Sequence, residues 1–521
     1  MRILFLLFSF PVLIESLKIL FYVSAIAQSH IPFHNTAINL LLERGHIVDL
    51  VVSQYNEAVK VTIPKSVRRK YSFGFDDPTY WSKNAMHLTN VFEKKPIPWA
   101  EFDTFDQSAL ELCKIAVGNV DLFKYIQEGE YDIGISSDYD PCANIIMHAA
   151  GVPVKASMIP TPMFQSHVVS AGLPSLASLY GTTLYPKRDT SFYNRVFDLL
   201  RHTYNLNFVA PKIMAEYNRL AKDAYGFNFP DVEEIERNVD IVLANSNEII
   251  EKPRPISSKI KYIGGMGKKK AKPLSTELND VLESANRGVV IFSFGTQVNT
   301  NDVPIEIRKN FITAFKSFPD HLFLWKYDNL TDNMELFKNA PNIHRYQWLP
   351  QTDLLGDERV KAFISHMGLN SFLETAAAGV PVLAIPLFID QQHNSFNAVS
   401  REMGVIVDRD QLTSENLILA IRELLYHPKY ERNAKTVARM MVQKPEQAEK
   451  LFVEWIEYAA NNPGLHKIFN LPGAELNVFW YYCIDVVLLL VFIIVSVILF
   501  IVLLLIALKK LITAALKPKQ D

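Results

Sequence analysis

The sequence predicts an α/β protein with two doubly wound domains, each a parallel sheet covered by helices, followed by one transmembrane helix. The chain has 521 residues, more than a single domain usually contains. In both halves, short apolar runs alternate with segments whose apolar residues recur at helical spacing. Residues 486–508 carry no charge, and at roughly 1.5 Å per residue they span about 34 Å, enough to cross a hydrocarbon core of about 30 Å.

The first predicted domain, residues 17–250, begins with a strand–helix–strand unit. Residues 18–23 form an apolar strand, and residues 33–44 carry apolar side chains at helical spacing until Gly45 ends the helix. Residues 47–52 are predicted to form the next strand. This alternation is typical of a parallel sheet with covering helices.

A linker is predicted at residues 251–265, where prolines and glycines interrupt the periodicity. A second α/β set occupies residues 266–445, and a helical segment follows at 446–485. In doubly wound sheets, ligands bind beyond the carboxyl ends of the strands. We therefore expect a ligand cleft between the two domains.

The two ends of the chain predict targeting to a membrane. Residues 1–16 combine a basic start, an apolar stretch and a small residue, as in a secretory signal peptide. The tail, residues 509–521, is rich in lysine, and its Lys517 and Lys519 resemble a dilysine retrieval signal. The positive-inside tendency places this tail in the cytosol. The sequence thus predicts a single-pass type I protein of the endoplasmic reticulum membrane with a lumenal body.

Composition excludes several classes of function. The formal net charge of −2 gives no general attraction to nucleic acid. The three cysteines, Cys113, Cys142 and Cys483, are too few for a disulfide framework and lack the spacing of a zinc site. No nucleic-acid partner is expected, and the sequence leaves open whether the chain forms a homo-oligomer.

The segment 363–391 has the features of a phosphate site. An apolar strand leads to His366 and Gly368, and Asn370 and Ser371 open the next helix, whose free backbone N–H groups suit a diphosphate. His366 can donate to a diphosphate oxygen and offset charge on a leaving group. Further along, Glu374 is placed for ribose hydroxyls. Asp390 and Gln391 follow the next strand, where the hydroxyls of a sugar need partners.

This segment resembles the UDP-glycosyltransferase family, and especially its animal branch, the UDP-glucuronosyltransferases. His366, Gly368, Ser371 and Glu374 hold the family spacing, whereas Met367 stands where a small residue is usual and is expected to tighten the pocket. The resemblance covers nearly the whole chain. It implies two Rossmann-like domains of the GT-B type and a UDP-sugar donor as co-substrate, with no cofactor.

The resemblance assigns further donor-binding residues. It implies that Trp348 stacks on uracil and that Gln351 offers it a polar edge, with a core tryptophan as the alternative reading of Trp348. In the linker, Arg254 is implied to lie near a glucuronate carboxylate, although a solvated arginine fits the sequence equally. The implied diphosphate loop after the first strand of the second domain contains Ser293, Gly295 and Thr296.

A histidine held by an aspartate can take a proton from an acceptor hydroxyl. The resemblance implies a histidine after the first strand, and we choose His30 over His34 and His46. Aligned on Pro141-Cys142, Ser137 occupies the usual position of the acidic partner. Asp138 is the expected partner, and Asp140 is the fallback.

The triplets Asp138-Tyr139-Asp140 and Asp408-Arg409-Asp410 could alternatively be metal-binding motifs of another glycosyltransferase fold. We expect no metal, because His366 and a helix terminus already balance the diphosphate.

The predicted function is inverting transfer of glucuronate or glucose from a UDP-sugar to a hydroxyl of a small lipophilic acceptor. One alternative is a lumenal UDP-sugar-binding protein that has lost catalysis, which the departure at Ser137 motivates. The other is a glycosyltransferase that acts on a membrane lipid.

Overall fold

The computed structural model describes residues 16–84, 91–92, 99–175, 181–182, 185–186, 191–268, 270–296, 298–332 and 334–515. Residues 1–15 of the predicted signal peptide and the dilysine motif lie outside these residues. The described chain divides into two compact units, which meet between Phe469 and Asn470.

Residues 16–262 contain a parallel sheet of seven strands. Its strands are β1 (Lys18–Ser24), β2 (Ile47–Gln54), β3 (Arg69–Gly74), β4 (Ile133–Ser137), β5 (Lys155–Ile159), β6 (Ile241–Ala244) and β7 (Ile260–Tyr262). Their spatial order is β3-β2-β1-β4-β5-β6-β7, so the order reverses between β1 and β4. Strand β7 falls in the region predicted as a linker, but it pairs with β6 and completes this sheet.

Helices cover both faces of the first sheet. They are α1 (Ile31–Glu43), α2 (Tyr80–Asn84), α3 (Trp99–Val117), α4 (Val120–Gln127), α5 (Cys142–Ala149), α6 (Gln165–Ser170), α7 (Phe192–Tyr204), α8 (Ala210–Tyr225) and α9 (Val232–Arg237). A π-helical turn at Asn205–Val209 joins α7 to α8, and Gly181–Thr182 pairs with Tyr185–Pro186 in a short hairpin.

A second parallel sheet has six strands. They are β8 (Val289–Ser293), β9 (Leu322–Lys326), β10 (Ile343–Tyr346), β11 (Val360–Ser365), β12 (Val382–Ala384) and β13 (Gly404–Ile406). Their spatial order is β10-β9-β8-β11-β12-β13, with the reversal between β8 and β11. Both sheets are thus doubly wound, and each has one switch point where a ligand site is expected.

Helices α10 to α17 accompany the second sheet, and α18 and α19 follow them in the chain. They are α10 (Thr276–Glu283), α11 (Ile305–Lys316), α12 (Met334–Phe337), α13 (Gln351–Leu355), α14 (Leu369–Ala378), α15 (Gln391–Ser400), α16 (Ser414–Tyr426), α17 (Lys429–Val442), α18 (Ala448–Asn461) and α19 (His466–Phe469). The apolar face of α18 belongs to the core of the first sheet, where Phe452 and Ile456 are fully buried beside Phe21 and Val23. The chain therefore returns to its first half before the first compact unit ends.

The second compact unit contains α20 (Val478–Tyr481) and α21 (Ile484–Ala515). Residues 484–514 of α21 are long and apolar enough to cross a membrane. This helix contains the predicted span 486–508 and extends it at both ends, because helix geometry continues into the flanking polar residues.

Candidate active site

The predicted functional loops lie at the two switch points. A 3-10 turn, Gln28–His30, follows β1, and the loop 138–141 follows the neighbouring strand β4. In the second sheet, β8 and β11 pair side by side with Ser293 opposite Ser365. The loops after these two strands carry the predicted diphosphate residues, because parallel neighbours end at the same edge.

His366 is buried between two glycines. A Cβ on Gly295 would lie 2.6 Å from Cε1 of His366, and a Cβ on Gly368 would lie 2.8 Å from Nε2. Gly295 also has φ of +74°, which favours glycine. Burial lowers the pKa of His366 to about 4, so its ring is neutral at neutral pH. Its buried Nδ1 has no hydrogen-bond partner among the described residues, while the ring interacts with the backbone of Ser293.

Gly368 at the N-cap of α14 supplies no side chain to cap the backbone N–H groups of the first turn, although the N–H of Leu369 is engaged by the Asp390 carboxylate. Met367, just before Gly368, is fully buried in an apolar cluster with Phe372 and Met403. Its φ is +67°, a left-handed conformation that is costly for a side-chain-bearing residue. The sequence predicted that the Met367 side chain tightens the donor pocket, but in the structure this side chain packs into the apolar cluster.

Three predicted donor residues form one hydrogen-bonded group. Nε2 of Gln351 donates to Glu374 Oε2 at 2.8 Å and to Ser371 Oγ at 3.3 Å. Burial raises the pKa of Glu374, with Gln351 and the charge of Lys268 opposing the shift. Nearby in sequence, Trp348 is 72% exposed, so it is not a core residue. The indole face is open to a base.

Asp390 and Gln391 start helix α15 and have different roles. Gln391 is buried, and its Oε1 accepts from the backbone N–H groups of Leu387 (2.8 Å) and Phe388 (3.1 Å), which fixes the loop. Asp390 accepts from Asn394 at 2.8 Å, and burial raises its pKa to about 6. The Asp390 carboxylate also interacts with the backbone N–H of Leu369, so it links the start of α15 to the start of α14.

Asn370 connects the two halves of the candidate site. Its Nδ2 donates to the backbone carbonyl of Ser29 at 3.2 Å, directly beside His30. His30 is half-buried, and burial lowers its pKa to about 4. A neutral imidazole thus stands at the edge of the cleft, next to the donor loop.

His30 does not pair with either predicted carboxylate. Its imidazole contacts the hydroxyl of Tyr139. Burial raises the pKa of Asp138, whose carboxylate is hydrogen-bonded to Ser157. Asp140 accepts from the Tyr55 hydroxyl and from the backbone N–H of Cys142 (2.8 Å). The predicted pairing of His30 with Asp138 is therefore wrong, and so is the fallback pairing with Asp140.

Arg254 is neither solvated nor open in the cleft. Its guanidinium is buried, donates to the carbonyl of Met163 at 3.2 Å and pairs with Glu251 at 3.3 Å. Glu251 in turn contacts His393 Nε2 at 2.6 Å. In the diphosphate loop, Ser293 Oγ accepts from the Gly295 N–H at 3.1 Å, and Thr296 is exposed.

Two features of the site region were not predicted from the sequence. Tyr139 lies between the two aspartates that were considered, and its only signal was its position in a loop at a switch point. Cys113 and Cys142 form a disulfide between α3 and α5, although three cysteines had argued against a disulfide framework. No group of three or more His, Cys, Asp or Glu side chains that could hold a metal ion occurs in the described part of the chain.

Comparison with known proteins decides the family. A family model described as UDP-glucoronosyl and UDP-glucosyl transferase matches residues 18–517. The chain belongs to this UDP-glycosyltransferase family. Like its members, this UDP-glycosyltransferase is an enzyme that transfers sugars from UDP-sugar donors to acceptors.

Relatives and solved structures agree with this assignment. UDP-glucuronosyltransferase 2B1 of Rattus norvegicus is 27% identical, with 86% of each chain covered. UDP-glucosyltransferase 2 of Dactylopius coccus is 30% identical, with 53% of this chain and 52% of that one covered. The glycosyltransferase of kitacinnamycin has a TM-score of 0.59 at 14% identity, covering 85% of this chain and 99% of that one. Os79 from O. sativa, solved with UDP, has a TM-score of 0.54 at 17% identity, covering 85% of this chain and all of that one. These structures establish the GT-B fold.

Proposed function

We propose that this UDP-glycosyltransferase moves glucuronate or glucose onto a hydroxyl of a small lipophilic acceptor with inversion, and that His30 is the base. The observation that carries the proposal is the neutral His30 imidazole beside the donor loop, where Asn370 reaches Ser29. A base must be unprotonated at working pH, and the lowered pKa of His30 meets this need.

The reaction is a single displacement. Nε2 of His30 takes the proton of the acceptor hydroxyl while the acceptor oxygen attacks the anomeric carbon. The bond between that carbon and the diphosphate oxygen breaks, and its electron pair leaves with UDP. His366 and the N-terminus of α14 then oppose the charge that develops on the diphosphate.

The remaining donor residues are assigned to the nucleotide and the sugar. Trp348 presents its exposed ring to uracil, and the linked Gln351 and Glu374 face the ribose. Asp390 accepts hydrogen bonds from sugar hydroxyls once its carboxyl is ionised.

The choice between glucuronate and glucose rests on what faces the carboxylate of the sugar. The Arg254 guanidinium, predicted for this task, is engaged with Glu251. The relatives' names include both a glucuronosyl and a glucosyl transferase. Competition between UDP-glucuronate and UDP-glucose for a single acceptor measures the preference directly.

The proposed location is the endoplasmic reticulum membrane, with a lumenal body and a cytosolic tail. The apolar helix α21 supports a membrane anchor. The Cys113–Cys142 disulfide supports an oxidising compartment, because such bonds are rare in the cytosol. Protease protection of sealed microsomes tests the orientation: the body should resist digestion until detergent is added.

His30→Ala tests the assignment of the base. We expect this variant to lose about 100-fold or more in kcat toward phenolic acceptors while it still binds UDP, because general-base catalysis contributes on this scale. His427→Ala, at an exposed histidine far along the chain, is the control and should retain full activity. Undiminished transfer by His30→Ala would refute the assignment.

The two alternatives predict different results in the same assay. UDP binding without turnover across a panel of phenols would favour a binding protein. Turnover restricted to lipid acceptors in vesicles would favour a membrane-lipid glycosyltransferase.

A further inference from the structure

The phenol of Tyr139 is the group that contacts the imidazole of His30. Oη lies 3.3 Å from Nε2 and closer to Nδ1. The two rings also stack, with centroids 5.4 Å apart and planes inclined by 26°. No other side-chain hydrogen bond of His30 occurs among the described residues. Tyr139 therefore fixes both the position and the plane of this ring.

The neighbouring polar groups in the loop are engaged elsewhere. Ser137, at the position where a carboxylate was expected, is buried and contacts Nε2 of His34 at 3.1 Å. Burial, with a smaller contribution from His30, lowers the pKa of His34 to about 3, so His34 carries no charge toward His30 at neutral pH. Because Asp138 is hydrogen-bonded to Ser157 and Asp140 to Tyr55, neither carboxylate of the loop pairs with His30.

A carboxylate does act on Tyr139 from the second half of the molecule. Burial and the negative charge of Asp390 both raise the pKa of Tyr139 well above its ordinary value. The phenol therefore keeps its proton throughout the working range. The phenol is thus influenced by the charge of Asp390 and contacts the imidazole of His30.

We infer that Tyr139 is the positioning residue for the base in this chain, in place of an aspartate. Its oxygen accepts the Nδ1–H of His30, and this tautomer leaves the lone pair of Nε2 for the proton of the acceptor. After proton transfer, the imidazolium keeps its Nδ1–H on the phenol oxygen, and the charge of Asp390 lies beyond it. This inference rests on the proposed role of His30, which it makes more specific.

Tyr139→Phe tests the inference because it keeps the stacked ring and removes only the hydroxyl. We expect kcat to fall by about 10- to 100-fold, since the base loses its fixed tautomer, while KM for the UDP-sugar stays within about twofold. Tyr55→Phe is the matched control. It removes a buried hydroxyl that donates to Asp140 of the same loop but does not contact His30, so kcat should stay unchanged.

A second measurement needs no turnover. Modification of His30 by diethyl pyrocarbonate at pH 7, followed by peptide mass spectrometry, should be several-fold faster in Tyr139→Phe and unchanged in Tyr55→Phe. An unchanged kcat and modification rate in Tyr139→Phe would overturn the inference. If the wild-type chain transfers no sugar, the proposed function fails by itself, and the modification rate still decides whether Tyr139 holds His30.

Discussion

At the scale of single residues, burial and close glycines set the chemistry of the site. His30 and His366 are both desolvated, so each is neutral at neutral pH and able to exchange or donate a proton. Asp390 is also desolvated, which raises the pKa of its carboxyl to about 6. The two imidazoles therefore take up a proton near pH 4, whereas the Asp390 carboxyl takes one up near pH 6.

The difference between the pKa values of His30 and Asp390 predicts how activity falls at acid pH. His30 stays neutral down to about pH 4, whereas Asp390 takes up a proton near pH 6. We expect kcat/KM for the UDP-sugar to fall as pH drops through about 6, because a protonated Asp390 no longer accepts from the sugar or opposes the imidazolium. In Asp390→Asn, activity should be lower, and its remaining acid limb should move toward pH 4. If the activity of Asp390→Asn still falls near pH 6, the assignment of this acid limb to Asp390 is wrong.

At the scale of elements, helix termini and a covalent bond position the loops. Helix α14 begins at the donor loop, so its first turn lies where the diphosphate is proposed to bind. Helix α5 begins at Cys142, immediately after the loop that holds Tyr139. The disulfide from Cys142 to Cys113 anchors the start of α5 to α3, and through it the end of that loop.

The disulfide should contribute to stability through the unfolded chain. It joins residues 29 apart, so the entropy of loop closure suggests about 3 to 4 kcal/mol. We expect the double variant Cys113→Ser/Cys142→Ser to lose about this free energy of unfolding in urea titrations of the detergent-solubilised protein. Cys483→Ser, which removes an exposed free thiol, is the control and should change little. Equal stability of the double variant and the control would contradict this account.

At the scale of the whole molecule, buried charges tie the two halves of the first compact unit together. Glu251, between strands β6 and β7 of the first half, accepts from Ser246 at 2.7 Å and pairs with Arg254, while His393 contacts it from α15 of the second half. Burial alone would raise the pKa of Glu251, but His393, Arg254 and Ser246 together lower it to about 2. The carboxylate is thus ionised and stabilising between the two halves.

Glu251→Gln should weaken this connection. Removing one partner of a buried ion pair costs about 3 to 5 kcal/mol, because the other charge is left without compensation. The folded pKa of Glu251 lies below its ordinary 4.5, so the wild-type contribution is full above pH 4.5 and is lost as pH falls toward 2. Urea titrations at pH 7 and pH 3.5 should therefore show a smaller difference between the two chains at the lower pH. Glu248→Gln, at a more exposed pair with Lys444, should cost less than about 1 kcal/mol.

The sequence alone determined the fold class, the donor motif and the apolar helix, because these depend on local order along the chain. Strand and helix periodicity requires only neighbours in sequence, and the spacing from His366 to Gln391 places a strand, a helix N-terminus and a second loop in series. His30 could also be proposed as the base from local order, because it lies in the loop that directly follows the first strand.

Only the tertiary structure decided which side chains meet. The partner of His30 could not be read from the loop, because three adjacent polar residues point to different neighbours: Asp138 to Ser157, Tyr139 to His30, and Asp140 to Tyr55. Arg254 looked equally suited to solvent or a sugar until its buried pair with Glu251 appeared. Such pairings are set by packing between distant segments, and no local pattern in the sequence encodes them.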